Sequence, residues 1–258
     1  MTEATLRSRS VEAMGTVFCF TWRPPGTGAG PDVGVEETLR AAAAGLAEVD
    51  RVYSTWKEDS PMSRVRRGEL AEADRPDIAA VLARCRELRE ASAGWFDPWA
   101  APGGVDPTGM VKGWATASAC ARLGQAGVPA GSVDGAGDIA TLPGAGPDGS
   151  GRWRIGVRHP WRPEALAGIV ELPAGTAIAS SGTYERGEHL WNPSGGPVAA
   201  RAATVCGPDL AGADAFATAL AVGGAAFLPV LEAMDGWEGW FVTPDGVEHE
   251  TGGFPWAR

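Results

Sequence analysis

The hydrophobic pattern changes its period along this chain of 258 residues. Apolar residues recur at spacings of three and four from Val35 to Tyr53, which indicates an amphipathic helix. Beyond residue 150 they alternate, as at Trp153, Ile155 and Val157, which indicates strands with one buried face. Helices and strands mix without a regular βαβ order, so the pattern predicts an α+β fold.

The same two periods locate further elements. They predict a strand over 17–22, helices near 77–92, 111–125 and 211–222, strands over 169–172 and 177–179, and a closing hairpin around Pro244-Asp245-Gly246. Asp77 is predicted to cap the second helix, because a carboxylate accepts hydrogen bonds from the unpaired N–H groups of a first turn.

Composition narrows the class of protein. Hydrophobic residues make up 44% of the chain, enough for a sizeable core in one folded domain. The formal net charge of -10 argues against a nucleic-acid or anionic-membrane binder, which needs a basic face. The four cysteines have no CxxC or Cys/His spacing, so we expect buried free thiols and no zinc site.

The first ten residues are polar and contain neither an apolar run nor a lipidation cysteine. We therefore expect a polar N-terminal tail over 1–10 and one domain over 11–258. The same features predict a cytoplasmic protein without a stable membrane anchor.

Asp214 and Thr218 are the first candidates for chemistry. They are four residues apart on a predicted helix and therefore share a face. A carboxylate and a hydroxyl on one face are ligands that Mg²⁺ accepts, with substrate phosphates or water completing the shell. The alternative is a purely local role, in which the aspartate favours the helix dipole and the threonine bonds to the preceding turn.

A second candidate begins at Asp106-Pro107, where a turn precedes a predicted helix start. Backbone N–H groups at such a start can bind an anion, and Lys112 adds a positive charge. The alternative is an ordinary Asp-Pro turn with a solvated lysine. The GxxxxGK[ST] spacing of a Walker A loop is missing.

Two glycine-bearing segments complete the set. Small residues over 134–139 allow close approach of a backbone, or form a plain turn between strands. His189 follows the polar stretch 180–186 and could serve as a general acid or base or contact a phosphate, or could be a surface-loop histidine. Ser181 lacks a G-x-S-x-G setting, which argues against a serine hydrolase.

In order along the chain, these segments resemble the ApbE family, the FAD:protein FMN transferases. The resemblance rests on short segments at 14–16, 54–56 with 59–64, 94–98, 106–114, 135–139, 178–186, 189–193, 204–208 and 213–219. It implies a single compact, T-fold-like α+β domain with a ligand cleft between two lobes.

The resemblance also implies a set of binding residues. The FAD site would be lined by Met14, Trp56, Trp95, Phe96, Asp97, Asp106, Lys112 and Trp191. Mg²⁺ would be held by the side chains of Asp214 and Thr218, with main-chain oxygens of Gly109 and Ala217 nearby.

The implied reaction cleaves the FAD pyrophosphate, attaches FMN through a phosphoester to a Thr or Ser of an acceptor protein, and releases AMP. His189 and Asp138 are both candidates for the group that takes the acceptor's proton. The alternatives are a Mg-dependent FAD pyrophosphatase giving FMN and AMP, and a non-catalytic FAD-binding protein.

Three positions depart from the family pattern. Asn192 stands where the family usually has an aspartate, Ala136 replaces the first glycine of a GGD segment, and Trp56 replaces a tyrosine. The first removes a charge, the second adds a methyl group, and the third keeps an aromatic face while losing a hydroxyl.

Overall fold

A long antiparallel sheet organises the molecule. The computed structural model describes residues 6–24, 33–183 and 190–257, and all statements on the fold concern these ranges. Their strands are β1 (Arg7–Ala13), β2 (Thr16–Arg23), β3 (Ala130–Gly135), β4 (Ile139–Thr141), β5 (Arg152–Arg158), β6 (Leu166–Pro173), β7 (Ala177–Gly182), β8 (Ala202–Gly207), β9 (Glu238–Val242) and β10 (Glu248–Glu250). Their α-helices are α1 (Val33–Tyr53), α2 (Pro61–Arg66), α3 (Pro76–Ala91), α4 (Thr108–Gln125), α5 (Leu210–Gly223) and α6 (Leu228–Glu232).

Eight of these strands form one sheet in the order β1-β2-β3-β4-β7-β8-β9-β10, and β5 pairs with β6 in a separate ribbon. Alternate residues of β9 enter two different apolar clusters. Phe241 joins the helix-side core, which includes α1, α3, α4 and α5. Trp240 and Val242 join the ribbon-side core, which includes Trp153 and Val170 of the ribbon. The central sheet is therefore buried on both faces.

Helices α4 and α5 approach each other unusually closely at Gly113. A Cβ atom at this position would lie 2.4 Å from the Leu210 carbonyl oxygen and 2.8 Å from Cβ of Asp214. Only glycine permits that approach, since any side chain would push the helices apart. The contact places the second turn of α4 beside the first two turns of α5.

The predicted α+β, single-domain fold is confirmed, and each of the predicted helices and strands listed above is present. Its division into two lobes stays a prediction. The described cysteines are unpaired, as predicted, and burial raises the pKa of Cys85 and Cys120 to about 12. Cys206 is buried too, but Cys19 is only partly buried, so the expectation of a buried thiol is wrong there. No helix of the described ranges is both long and apolar enough to cross a membrane.

Two local expectations need correction. Residues 7–10, assigned above to the polar tail, belong to β1, which pairs with β2 across a turn at Met14 and Gly15. Helix α3 begins at Pro76, with Arg75 in the capping position. Asp77 therefore lies inside the first turn, where its carboxylate forms an ion pair with Arg75 at 2.6 Å.

Candidate active site

A cavity of about 600 Å³ lies where the β1–β2 turn, the end of α1, the segment 95–98 and the start of α4 meet. Strand β7, α5 and residues 190–191 complete its wall. All eight residues predicted for the FAD site line this cavity: Met14, Trp56, Trp95, Phe96, Asp97, Asp106, Lys112 and Trp191. Gly109, Asp214 and Thr218, predicted for the metal, line it too. Segments far apart in sequence thus converge on one site.

Three ionisable side chains lie together beside α4: Lys112 and Asp214 on the cavity wall, and Asp138 behind it. The Lys112 Nζ is 2.8 Å from Oδ2 of Asp138, which has no exposed surface. Burial raises the pKa of Asp138, and it raises the pKa of Asp214 well above its ordinary range. The charge of Asp138 raises the pKa of Asp214 further. The charge of Lys112 lowers both pKa values. Two buried carboxyls thus share one ammonium, so the cluster favours an added cation.

The oxygens around Asp214 suit a hard cation. Asp214 accepts a hydrogen bond from the Gly113 N–H at 2.9 Å, which fixes its carboxylate. The Thr218 hydroxyl lies 3.4 Å from the Ser181 hydroxyl. A Cβ at Gly109 would lie 3.3 Å from Thr218 Oγ1, so the main chain of α4 also comes close to the Thr218 hydroxyl. Among the described residues no three His, Cys, Asp or Glu side chains cluster as a metal site. A cation here would therefore use carboxylate, hydroxyl, main-chain and substrate oxygens, a set typical of Mg²⁺.

The structure weakens the local alternatives for Asp214 and Lys112 but supports the one for Asp106. Asp209 caps α5 by accepting a hydrogen bond from Gly212 N–H at 2.7 Å. Asp214 lies in the second turn, where the helix dipole has little effect. Lys112 is only 18% exposed and ion-paired, which excludes the solvated lysine. The Asp-Pro turn itself is present, because the Thr108 N–H at the start of α4 bonds to the Asp106 carboxylate at 3.0 Å and is therefore not open to an anion.

The two aspartates of the FAD-site prediction are held firmly in the wall. Asp106 accepts hydrogen bonds from Thr55, Thr108 and Arg66, the last at 3.3 Å. Asp97 lies 2.8 Å from Arg89 Nε and also accepts the Trp99 N–H at 2.9 Å. These bonds join α2, α3 and α4 around the cavity and keep its shape.

Aromatic and sulfur-bearing side chains supply the apolar part of the wall. Phe96 is buried and packs near Gly109, whereas Trp56 is 87% exposed. Met14 has a φ of 53° and Gly15 a φ of 68°, a left-handed pair that closes the β1–β2 turn at the cavity. A bulky residue rarely adopts this conformation, so the fold holds Met14 against a local strain.

Comparison with known proteins identifies the group to which this architecture belongs. Residues 14–104 and 100–240 match the family model described as the ApbE family. The chain belongs to the ApbE family. No curated protein sequence matches it.

Solved structures of ApbE proteins share the fold over nearly the whole chain. Flavin transferase ApbE from Vibrio cholerae is 20% identical, with a TM-score of 0.77 over 97% of this chain and 98% of its own. The ApbE protein from Thermotoga maritima is 18% identical, with a TM-score of 0.76 over 96% and 97%. The apo form of flavinyl transferase ApbE from Pseudomonas stutzeri is 23% identical, with a TM-score of 0.74 over 96% and 95%. At these identities the likeness establishes the fold.

Two departures from the ApbE pattern have local explanations. The Asn192 amide donates a hydrogen bond to the Pro197 carbonyl at 2.9 Å and accepts one from Ser194 N–H at 3.0 Å. An aspartate could not make the first of these bonds, because an ionised carboxylate has no donor. Ala136 has a φ of 57° in the β3–β4 turn, so this chain keeps the turn without the glycine that favours it.

Three predicted residues do not lie on the described cavity wall. Ala217 is buried within α5, next to Thr218. Asp138 is buried behind Lys112. His189 lies outside the described residues, as do residues 184–186 of the neighbouring segment and residues 1–5 of the tail.

Sequence reasoning did not assign several other residues of the wall. They are Gly15, Asp50, Tyr53, Ser54, Lys57, Pro98, Thr108, Val111, Ser180, Ser181 and Leu190. Some of them lie in segments that resemble the ApbE pattern, namely Ser54, Ser180 and Ser181. The resemblance of these segments was a signal from which they could have been predicted. The sequence placed Tyr53 only on the apolar face of the first predicted helix. In the structure its ring packs edge to face against the Trp114 ring, with 5.5 Å between the ring centroids.

Proposed function

We propose that this ApbE-family protein is a Mg-dependent FAD:protein FMN transferase. The observation that carries the proposal is the cavity, where every residue predicted for FAD meets three predicted for the metal. A cavity of about 600 Å³ is in the range of small-molecule and cofactor sites.

In this proposal the aromatic part of the wall receives the flavin and the charged part receives the pyrophosphate. Trp56, Trp95, Phe96 and Trp191 offer ring faces for stacking. Lys112 offers an ammonium to phosphate oxygens. Asp214 and Thr218, with main-chain oxygens of Gly109 and Ala217, would hold Mg²⁺, which neutralises pyrophosphate charge and so favours departure of AMP.

The acceptor hydroxyl oxygen forms a bond to the FMN-side phosphorus, and the bond from that phosphorus to the oxygen bridging to AMP breaks. The hydroxyl proton passes to a base, for which we propose His189 from its sequence context. The wall residues orient FAD and exclude water from the phosphorus, so that a positioned hydroxyl is the preferred nucleophile.

The partner in this reaction is a protein with an acceptor Thr or Ser. A cytoplasmic location remains part of the proposal. The net charge of -10 supports the expectation that nucleic acid is not a partner.

The test is mass spectrometry of the protein with FAD and Mg²⁺, with an acceptor domain carrying the target Thr and with the same domain changed from Thr to Ala. We expect the Thr acceptor to gain FMN less one water, with an equal amount of AMP, and the Ala acceptor to stay unmodified. Equal FMN and AMP without any acceptor would identify a FAD pyrophosphatase. FAD binding without AMP would identify a flavin carrier.

A further inference from the structure

Asp138 is buried behind the cavity and not on its wall. It directly precedes β4 and has no exposed surface. The β3–β4 turn fixes its backbone, because the Gly135 N–H donates to the Asp138 carbonyl at 2.8 Å and the Gly137 N–H donates to the Asp134 carboxylate at 2.7 Å. A rigid turn thus presents this carboxyl to the interior of the protein.

This position argues against a role as the base for the acceptor. A general base must come within about 2.6–3.2 Å of the hydroxyl that it deprotonates, or reach it through one water. Among the described residues, those that line the cavity do not include Asp138, and Lys112 and Asp214 stand there in its place. An acceptor hydroxyl in the cavity therefore meets these two residues before it could reach Asp138.

Asp138 lies beside the Asp214 carboxyl, whose pKa it raises, and forms an ion pair with the Lys112 ammonium at 2.8 Å. A lysine carries its charge on a flexible four-carbon stem, so an unrestrained Nζ samples many positions. Lys112 lines the cavity, and its side chain is 18% exposed. The ion pair with the buried carboxylate restricts the ammonium to one place at the cavity wall.

We propose that Asp138 is a positioning residue, which holds the Lys112 ammonium where it meets the phosphates of bound FAD. This inference rests on the proposed function of the cavity. It assigns to Asp138 the binding of FAD through Lys112 and not the proton transfer. The loss of Asp138 should thus act on the affinity for FAD. In EDTA, where no metal links Asp214 to the phosphates, the effect should depend on the presence of Lys112.

The experiment is a double-mutant cycle on the full chain with FAD affinity as the readout. Flavin fluorescence titration in EDTA measures binding without turnover for Asp138→Asn, Lys112→Gln and the double variant. We expect each single change to weaken FAD binding about 10-fold, the effect of losing one charge-assisted contact. The double variant should bind no more weakly than Lys112→Gln, because the two residues act as one unit. Asp148→Asn, at an exposed carboxylate in the loop between β4 and β5 and away from the described cavity wall, is the control that should leave the affinity unchanged.

AMP formation with Mg²⁺ supplies the second readout. A positioning role predicts that Asp138→Asn raises KM for FAD by about 10-fold while kcat at saturating FAD falls by less. A fall in kcat of about 10²–10⁴-fold with unchanged FAD affinity is the signature of a base and would overturn the inference. Additive effects of the two substitutions on affinity would overturn it as well.

Thermal melting shows whether Asp138→Asn folds. If it does not fold, Asp138→Glu is the second variant that tests the inference. It keeps the buried charge but displaces it by one methylene, so KM should again change more than kcat. The proposed function fails separately, since wild-type protein that binds no FAD, or binds it without forming AMP, would contradict that proposal before any variant is compared.

Discussion

The two faces of the central sheet are buried against very different material. On the ribbon side, β5 and β6 cover the sheet with apolar groups such as Trp153, Ile155 and Leu172. On the helix side, α4 and α5 bring Lys112 and Asp214 to the cavity next to the apolar core. One sheet thus separates a face that only packs from a face that also buries charge.

The difference between the two faces predicts which side of the sheet contributes stability and which side contributes the binding site. Apolar burial contributes roughly 25 cal/mol per Å² to folding, whereas each buried carboxyl opposes folding unless it is paired. The ribbon side should therefore contribute stability and little else, and the helix side should give up stability for a binding site. Four substitutions test that division.

Trp153→Ala should have the largest effect. Removal of this buried ring on the ribbon side should lower the free energy of unfolding by about 3–5 kcal/mol. FAD affinity, measured well below the melting temperature, should stay within about twofold of wild type. Urea denaturation measures the free energy of unfolding, and flavin titration measures the FAD affinity.

Trp153→Phe is the matched control. The indole N–H is buried without a hydrogen-bond partner in the described part of the chain, so its removal should lower the free energy of unfolding far less. A large loss of FAD affinity in Trp153→Ala would contradict the division.

Asp214→Asn should give the opposite result on the helix side. AMP formation should fall by about 10²–10³-fold, the usual effect of removing one electrostatic group from an active site. Without metal, stability near pH 7 should increase, because burial raises the pKa of Asp214 well above 3.8 and its ionisation then opposes folding. The gain should shrink as the pH falls toward 4, where the unfolded carboxyl also becomes protonated. Thermal melts in EDTA at several pH values measure this, and a lower melting temperature at pH 7 would refute it.

Trp56→Ala should weaken FAD binding by about 10-fold with a change in stability below about 0.5 kcal/mol, because the ring is 87% exposed and can stack only on a ligand. Trp99→Ala provides a matched comparison. Trp99 is 38% exposed, stacks with Arg86 at 5.3 Å and is absent from the described cavity wall. Equal FAD affinities for the two variants would remove Trp56 from the site.

Ala136→Gly should have the smallest effect. A left-handed alanine costs about 1 kcal/mol, and the greater freedom of glycine in the unfolded chain offsets part of the gain. We expect stability to rise by about 0.5 kcal/mol with unchanged FAD affinity, measured by urea denaturation. Gly137→Ala, at a φ of 95° in the same turn, should lower stability instead. A loss of stability in Ala136→Gly would show that the methyl group packs.

The ease of sequence prediction also differs between the faces. Alternation at Trp153, Ile155 and Val157 predicted the ribbon, because one buried face imposes a period of two. Strand β8 is buried along its whole length and shows no alternation, so a period of two could not locate it. Strand β1 is mostly polar, and only its pairing with β2 makes it a strand.

The residues of the candidate site could be predicted from the sequence, but the ion pairs and hydrogen bonds between them could not. The resemblance to ApbE proteins named the residues that meet at the cavity, since short segments identify positions. The ion pair of Lys112 with Asp138 and the hydrogen bond of Asp106 with Arg66 join residues remote in sequence. Such contacts depend on how α4 packs against the sheet and α2, which no local pattern contains.

Gly113 has a consequence for how this site can change over generations. Every single-base change of a glycine codon that alters the residue introduces a Cβ, and at 113 that atom would meet the Leu210 carbonyl at 2.4 Å. No neighbouring side chain can be trimmed to make room, because the obstacle is backbone. The two helices are therefore inherited as one unit. The register between Lys112 and Asp214 can be lost in a single substitution but cannot be adjusted gradually.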